Sequence, residues 1–160
     1  MTLDHRPVDP ADLPLLCTFP QSARELFFLF PTATYPLTIE PLAAAIARRV
    51  DATVVTQDGA MAGFANFARW PPEAPCTLGN VMVAPALRGC GVGRYPIETM
   101  IEIAITRHSS TEVRVACFCG NTAGLLLYHR LGFQPFALEE RRDPAGNRVA
   151  LVHLRLAPVE

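Results

Sequence analysis

The chain has 160 residues, half of them apolar, with a formal net charge of −1 and five cysteines. That length buries one core of ordinary size, so residues 1–160 are expected to form a single domain. The near-neutral charge excludes a field that gathers nucleic acid or anionic lipid, no apolar run approaches a membrane span, and an odd cysteine count without repeated spacing excludes a disulfide framework. The opening Met1-Thr2-Leu3-Asp4-His5-Arg6 lacks the basic and apolar regions of a signal peptide, and a cytoplasmic protein is expected.

In chain order, residues 2–8 predict a strand, followed by short helices near Pro10 to Cys17 and Gln21 to Phe28. Thr38 reads as an N-cap with Glu40 and Pro41 in the first turn; Ile39, Leu42, Ala43, Ile46 and Val50 give a helical stripe that ends beside Arg48 and Arg49. Residues 52–68 predict a hairpin turning at Asp58-Gly59, a favoured two-residue turn. A Pro-rich connection, Trp70 to Pro75, leads to a strand over Leu78 to Val83. After a glycine-rich loop, Ile97, Met100, Ile101, Ala104 and Ile105 mark a helix. Val113 to Cys119 predicts a buried strand with Cys117 and Cys119 on one face as small hydrophobes. Asn121 is a good N-cap and Gly132 a good C′ residue for the next helix, and the tail folds back as a hairpin through Asp143 to Asn147. Antiparallel strands first, then strand-helix-strand-helix-strand-strand, imply an α/β architecture with a mixed sheet flanked by helices.

The loop is the first chemical signal. Between the strand at Val81-Met82-Val83 and the helix lie Arg88-Gly89-Cys90-Gly91-Val92-Gly93-Arg94. Glycines let backbone N–H groups approach a phosphate, and the helix N-terminus adds unpaired donors and partial positive charge. A Walker loop needs Gly-Lys-Ser/Thr, and the chain has no lysine. A dinucleotide fingerprint fails at its last position, which falls on Arg94 or Pro96. The pattern that fits is Arg-x-x-Gly-x-Gly, at Arg88, Gly91 and Gly93, after Val83 and Pro85. About thirty residues on, Asn121-Thr122-Ala123-Gly124-Leu125-Leu126-Leu127-Tyr128-His129-Arg130-Leu131-Gly132-Phe133 looks like a helix of the pattern Asn-x-x-Ala-x-x-Leu-Tyr-x-x-Leu-Gly-Phe, with Gly124 at the alanine position.

With these two segments, over roughly residues 78 to 135, the chain resembles the GNAT N-acetyltransferase superfamily. The resemblance implies that family's acyl-CoA N-acyltransferase fold: a central, mostly antiparallel sheet with two splayed parallel strands, flanked by helices. It implies acetyl-CoA as co-substrate and no metal. On this analogy Val81, Met82 and Val83 offer backbone bonds to pantetheine, Arg88, Gly89, Cys90, Gly91, Val92, Gly93 and Arg94 hold the pyrophosphate, and Asn121 helps to position the arm. Tyr128 matches the tyrosine that protonates the departing thiolate, and the Val83 N–H is a candidate oxyanion donor.

The base has no assignment. Protein N-terminal acetyltransferases of the superfamily commonly carry a glutamate five residues before the motif Asn, where this chain has Ala116; Glu73, Glu98, Glu102 and His153 read better as solvated surface. Cys90 has no base marked beside it and is expected to serve through its backbone. The aromatics of Leu26 to Pro36 lie where the family builds part of its acceptor pocket, although core packing suits most of them. The expected function is transfer of acetyl from acetyl-CoA to a primary amine of a small molecule, by direct attack in a ternary complex. A peptide or protein amine acetyltransferase and a non-catalytic acyl-CoA-binding module are the alternatives, and a homodimer is left open.

Overall fold

Local signals along the chain build one seven-stranded sheet. A computed structural model describes residues 2–68 and 73–157, so Trp70 to Pro72 of the expected Pro-rich connection lie outside the described residues. Strand β1 (Leu3–Pro7) leads through a 3₁₀ turn (Pro10–Asp12) into helix α1 (Leu13–Leu16), then α2 (Ala23–Leu29) and α3 (Ile39–Arg48). Strands β2 (Val50–Gln57), β3 (Ala60–Ala68) and β4 (Cys76–Val83) precede helix α4 (Arg94–His108), strand β5 (Val113–Phe118), helix α5 (Thr122–Arg130) and the hairpin β6 (Gln134–Arg142) and β7 (Arg148–Leu156). The sheet order is β1-β2-β3-β4-β5-β7-β6, antiparallel except between β4 and β5. This is the expected mixed sheet with flanking helices.

The two faces carry separate cores. Phe67, Leu78, Ile97, Met100, Val113, Val115, Phe133 and Leu154 pack on the side of α4 and α5. Leu13, Leu16, Leu26, Leu42, Val54, Phe64 and Met82 pack on the side of α1, α2 and α3. Strand alternation does this sorting: Phe64 and Phe67, three apart on β3, point to opposite faces. Among the described residues no helix is long and apolar enough to cross a membrane.

The turn at Asp58-Gly59 has both residues at positive φ, +50° and +84°, which matches the twist of the flanking strands. Four local expectations are corrected. Val50 belongs to β2 and not to the preceding helix: Arg49 is extended and Asp51 left-handed (φ +55°), so the chain has already turned into the sheet. Thr38 occupies the N-cap position without a side-chain bond, and α3 buries Leu42 and Ala45 while Ile39 is exposed. In α4 the buried stripe is Ile97, Met100, Ile103 and Ala104, a slight rotation that leaves Ile101 and Ile105 half-buried. The fourth is Cys119: β5 ends at Phe118, so Cys117 is buried and Cys119 exposed in the turn.

The sheet opens where β4 meets β5. Only Cys76–Leu78 pair with Val113–Val115. Beyond them Asn80 adopts a left-handed conformation (φ +47°), and the β3–β4 register slips between Phe64↔Met82 and Asn66↔Gly79. That extra residue is a β-bulge, which bends the strand and increases its twist. Meanwhile β5 stays zipped to β7 through Phe118↔Leu151. The two parallel strands therefore part into a fork.

Candidate active site

The fork is the mouth of a cleft of about 670 Å³ whose lining includes Val81, Met82 and Val83 of β4, Asn121, Gly124 and Leu127 beside β5, the glycine loop, and Glu25, Phe28 and Leu29 of α2. The Ala84 N–H donates to the Ala62 carbonyl at 2.8 Å, so Met82 and Ala84 direct their backbone groups toward β3. By the alternation of an antiparallel ladder, Val83 directs its own into the fork, and Val81 lines the cleft beside the bulge. The Val83 carbonyl accepts from Arg88 Nε at 3.3 Å.

The loop leaves β4 through a 3₁₀ turn at Pro85–Leu87. Gly89 and Gly91 stand at φ +75° and +80°, and a Cβ at either would meet no protein atom within 4 Å. Successive residues of opposite hand turn their N–H groups to one side and form an anion nest. Among the described residues the N–H groups of Gly89, Gly91, Val92 and Gly93 meet no protein acceptor. Gly93 caps α4 without a side-chain bond, which leaves the positive end of a fifteen-residue helix bare. Pro96 falls in the first turn, where its missing N–H costs little, and its ring rests over Gly63, where a Cβ would come to 3.0 Å from it. A diphosphate fits this cradle.

The expected site residues divide by where the structure puts them. Val81, Met82, Val83, Arg88, Gly89, Gly91, Gly93, Arg94 and Asn121 line the cleft; Cys90, Val92 and Tyr128 do not. The Val92 side chain is buried beside Val55 and Ala62, and the Cys90 thiol is exposed, its Sγ 3.7 Å from the Arg88 carbonyl. Arg88 points back across the loop: Nη1 donates to Glu25 at 2.6 Å and Nη2 to the Phe19 carbonyl at 2.6 Å. Its guanidinium thus ties the loop to the residues around α2. Arg94 pairs with Glu98 at 3.1 Å.

Asn121 caps α5, its Oδ1 accepting from the Gly124 N–H at 3.1 Å. Gly124 lets the helix sit close on β5, since a Cβ there would come to 3.1 Å from Cys117 Sγ. Two turns along, Tyr128 is buried edge-on to Phe133, with ring centroids 5.7 Å apart. Burial, and secondarily the Cys117 thiol, raises the phenol's pKa, so it stays protonated. Burial likewise pushes the Cys117 thiol up to about 12.

Of the base candidates, Glu98 pairs with Arg94, His153 bonds Glu139 at 2.9 Å, Glu73 is exposed, and none of these or Glu102 lines the cleft. Ala116 packs with Phe27, Phe118 and Leu151. Phe28 and Leu29 belong to the Leu26 to Pro36 segment named above for the acceptor pocket, whereas Glu25 entered the lining without being expected from the sequence. Glu25 did carry a signal, as the third helical residue after the N-cap Ser22, whose Oγ accepts from the Glu25 N–H at 3.1 Å. Among the described residues no group of three or more His, Cys, Asp or Glu could hold a metal ion.

A two-faced fork with a phosphate cradle is the architecture of an acyl-CoA-dependent transferase. The profile of the "Acetyltransferase (GNAT) family" matches residues 19–133, and the chain belongs to that family. Solved structures share the fold. The ribosomal-protein-S18-alanine N-acetyltransferase of Escherichia coli is 22% identical, covering 99% of this chain and 96% of its own, with a TM-score of 0.74. A Salmonella typhimurium protein described as an acetyltransferase, with its cofactor acetyl-CoA, is 22% identical over 100% and 96%, with a TM-score of 0.77. The spermidine N-acetyltransferase of Vibrio cholerae, in complex with CoA and spermine, is 14% identical over 98% and 95%, with a TM-score of 0.81. No curated protein matches the chain by sequence.

Proposed function

We propose that this acetyltransferase moves the acetyl group of acetyl-CoA to the primary amine of a small molecule by direct attack in a ternary complex. One observation carries the reading: the fork is lined from both sides of the sheet, by the glycine loop and α5 on one and by α2 on the other. A donor and an acceptor can therefore meet across it, which turns a bimolecular step into an oriented one.

Acetyl-CoA supplies the acetyl group as a thioester. The N–H groups of Gly89, Gly91, Val92 and Gly93 hold the pyrophosphate, assisted by the bare end of α4 and by Arg94. Val81, Val83 and Asn121 align the pantetheine arm, and the Val83 N–H stabilises charge on the thioester oxygen. Attack forms the C–N bond and breaks the C–S bond; the nitrogen gives up one proton and the sulfur takes one. Tyr128 is the candidate donor to the sulfur: it is on the α5 face that packs toward Cys117, and its burial keeps it neutral. No side chain is assigned as base, and ordered water serves there.

A small acceptor is favoured by Ala116. A glutamate commonly stands at that strand position in the superfamily's protein N-terminal acetyltransferases, and here the position is filled by a methyl group among aromatics. The reading treats residues 1–160 as one domain, supported by the single sheet that contains every described strand. A cytoplasmic setting is supported by five free cysteines. The test is a screen of primary amines with acetyl-CoA, followed by release of free CoA thiol. Amine-dependent release is expected; acetyl-CoA binding without turnover of any amine would leave a binding module.

A further inference from the structure

Helix α2 spans the fork on the acceptor side. Asn80 Nδ2 of β4 donates to the Leu29 carbonyl at 2.9 Å, Phe27 stacks on Phe118 of β5 with centroids 4.4 Å apart, and Arg24 Nη2 donates to the Gly120 carbonyl at 3.2 Å. An amine entering from this face passes Phe28 and Leu29, which line the cleft.

Charge around this entrance is one-sided. Glu25 is the only carboxylate lining the cleft among the described residues, and Arg88 holds it at 2.6 Å. A polycation would find no free carboxylate for its second ammonium. Arg24 has no carboxylate partner among the described residues. Arg24 is exposed at the rim rather than in the cleft lining; its guanidinium lies over the ring of Phe28, which does line the cleft, 5.2 Å from the centroid, with one donor on Gly120 and the rest of its fork open to solvent. Stacking on an aromatic face fixes the plane of a guanidinium, and a fixed fork suits a carboxylate.

We propose that the acceptor is a small amine that also bears a carboxylate, of the amino-acid class, and that Arg24 determines this specificity by pairing the carboxylate while Phe28 packs against the acceptor's apolar body. The inference rests on the acetyl-transfer reading above. Its chemistry is unchanged: the α-nitrogen takes the acetyl group, and Arg24 only positions the molecule.

The experiment compares L-leucine, L-phenylalanine and L-methionine with their amides, and with spermidine as a polycation, using the whole chain and acetyl-CoA. The free acids are expected to have KM values roughly tenfold or more below those of the amides. Arg24→Gln keeps a donor for Gly120 and removes the charge. It should raise KM for the acids about tenfold and leave the amides, the KM for acetyl-CoA and the melting temperature unchanged. Amides or spermidine used as well as the acids, no acetylation of any free acid, or acids indifferent to Arg24→Gln would overturn it. Calorimetry with acetyl-CoA separates the two failures: no binding defeats the underlying reading, whereas binding without preference for the acids defeats this inference alone.

Discussion

Tyr128 joins burial to chemistry. Its phenol is buried outside the cleft lining, and desolvation raises its pKa above the ordinary 10.0. An acid with a raised pKa is fully protonated below its ordinary value, so ionisation of Tyr128 should cause no loss of rate as pH rises to 10. Tyr128→Phe keeps the ring against Phe133 and removes the proton. The kcat should fall about a hundredfold under conditions where chemistry limits turnover, with acetyl-CoA affinity and melting temperature nearly unchanged. Equal kcat values would reduce Tyr128 to packing. Asp12 makes a separate, structural prediction. Its carboxylate accepts from Arg6 at 2.7 and 2.8 Å and from the Asp9 N–H at 2.8 Å, and these bonds, the Arg6 bond foremost, hold its pKa below the ordinary 3.8 despite burial. A depressed carboxylate stabilises the fold above its unfolded pKa, and that contribution is lost as pH falls through the folded value. Asp12→Asn should cost about 1–2 kcal/mol at pH 7 and less at pH 3. Urea unfolding at both pH values checks it, and an equal cost at both would contradict it.

The loop and the bulge act as elements. At Gly91 a β-branched side chain would be strained at φ +80° and would stand in the cradle. Gly91→Val should therefore weaken acetyl-CoA binding by at least tenfold, while a folded far-UV spectrum persists. Unchanged affinity by calorimetry would remove the loop from the site. At the bulge, Asn80 accepts from Asn66 Nδ2 at 3.0 Å and donates to Leu29, so one buried side chain fastens β3, β4 and α2. Asn80→Ala leaves the partners on both sides unpaired and should cost roughly 2–3 kcal/mol in denaturant unfolding. Much of this scale was legible in the sequence. Asn121 and Gly132 carry the capping chemistry of α5, and Asp58-Gly59 marks its turn, because these signals are local. The fork was legible only through the family resemblance. Its cause, a left-handed Asn80 with partners on β3 and α2, depends on contacts far apart in the chain. The same holds for Arg88: its motif pointed to phosphate, whereas its guanidinium bonds Glu25 sixty-three positions away. Val50 fits helix and strand patterns alike, and the sheet decides it.

At the scale of the whole molecule, the sheet is a partition that opens where β4 and β5 part. Helices α4 and α5 cover one face, α1 to α3 cover the other, and the fork connects them. That arrangement supports the direct transfer proposed above, since two substrates held on opposite faces would need no carrier on the protein. The exposed Cys90 and Cys119 thiols give the sharpest alternative, an acetyl group parked on sulfur before it reaches the amine. The decisive measurement uses acetyl-CoA labelled in its acetyl group, mixed with the protein first alone and then with small primary amines, and follows the label on protein and amine. The account predicts no label on the protein and amine-dependent transfer to the small molecule. Label accumulating on the protein, or no transfer to any amine, would contradict it.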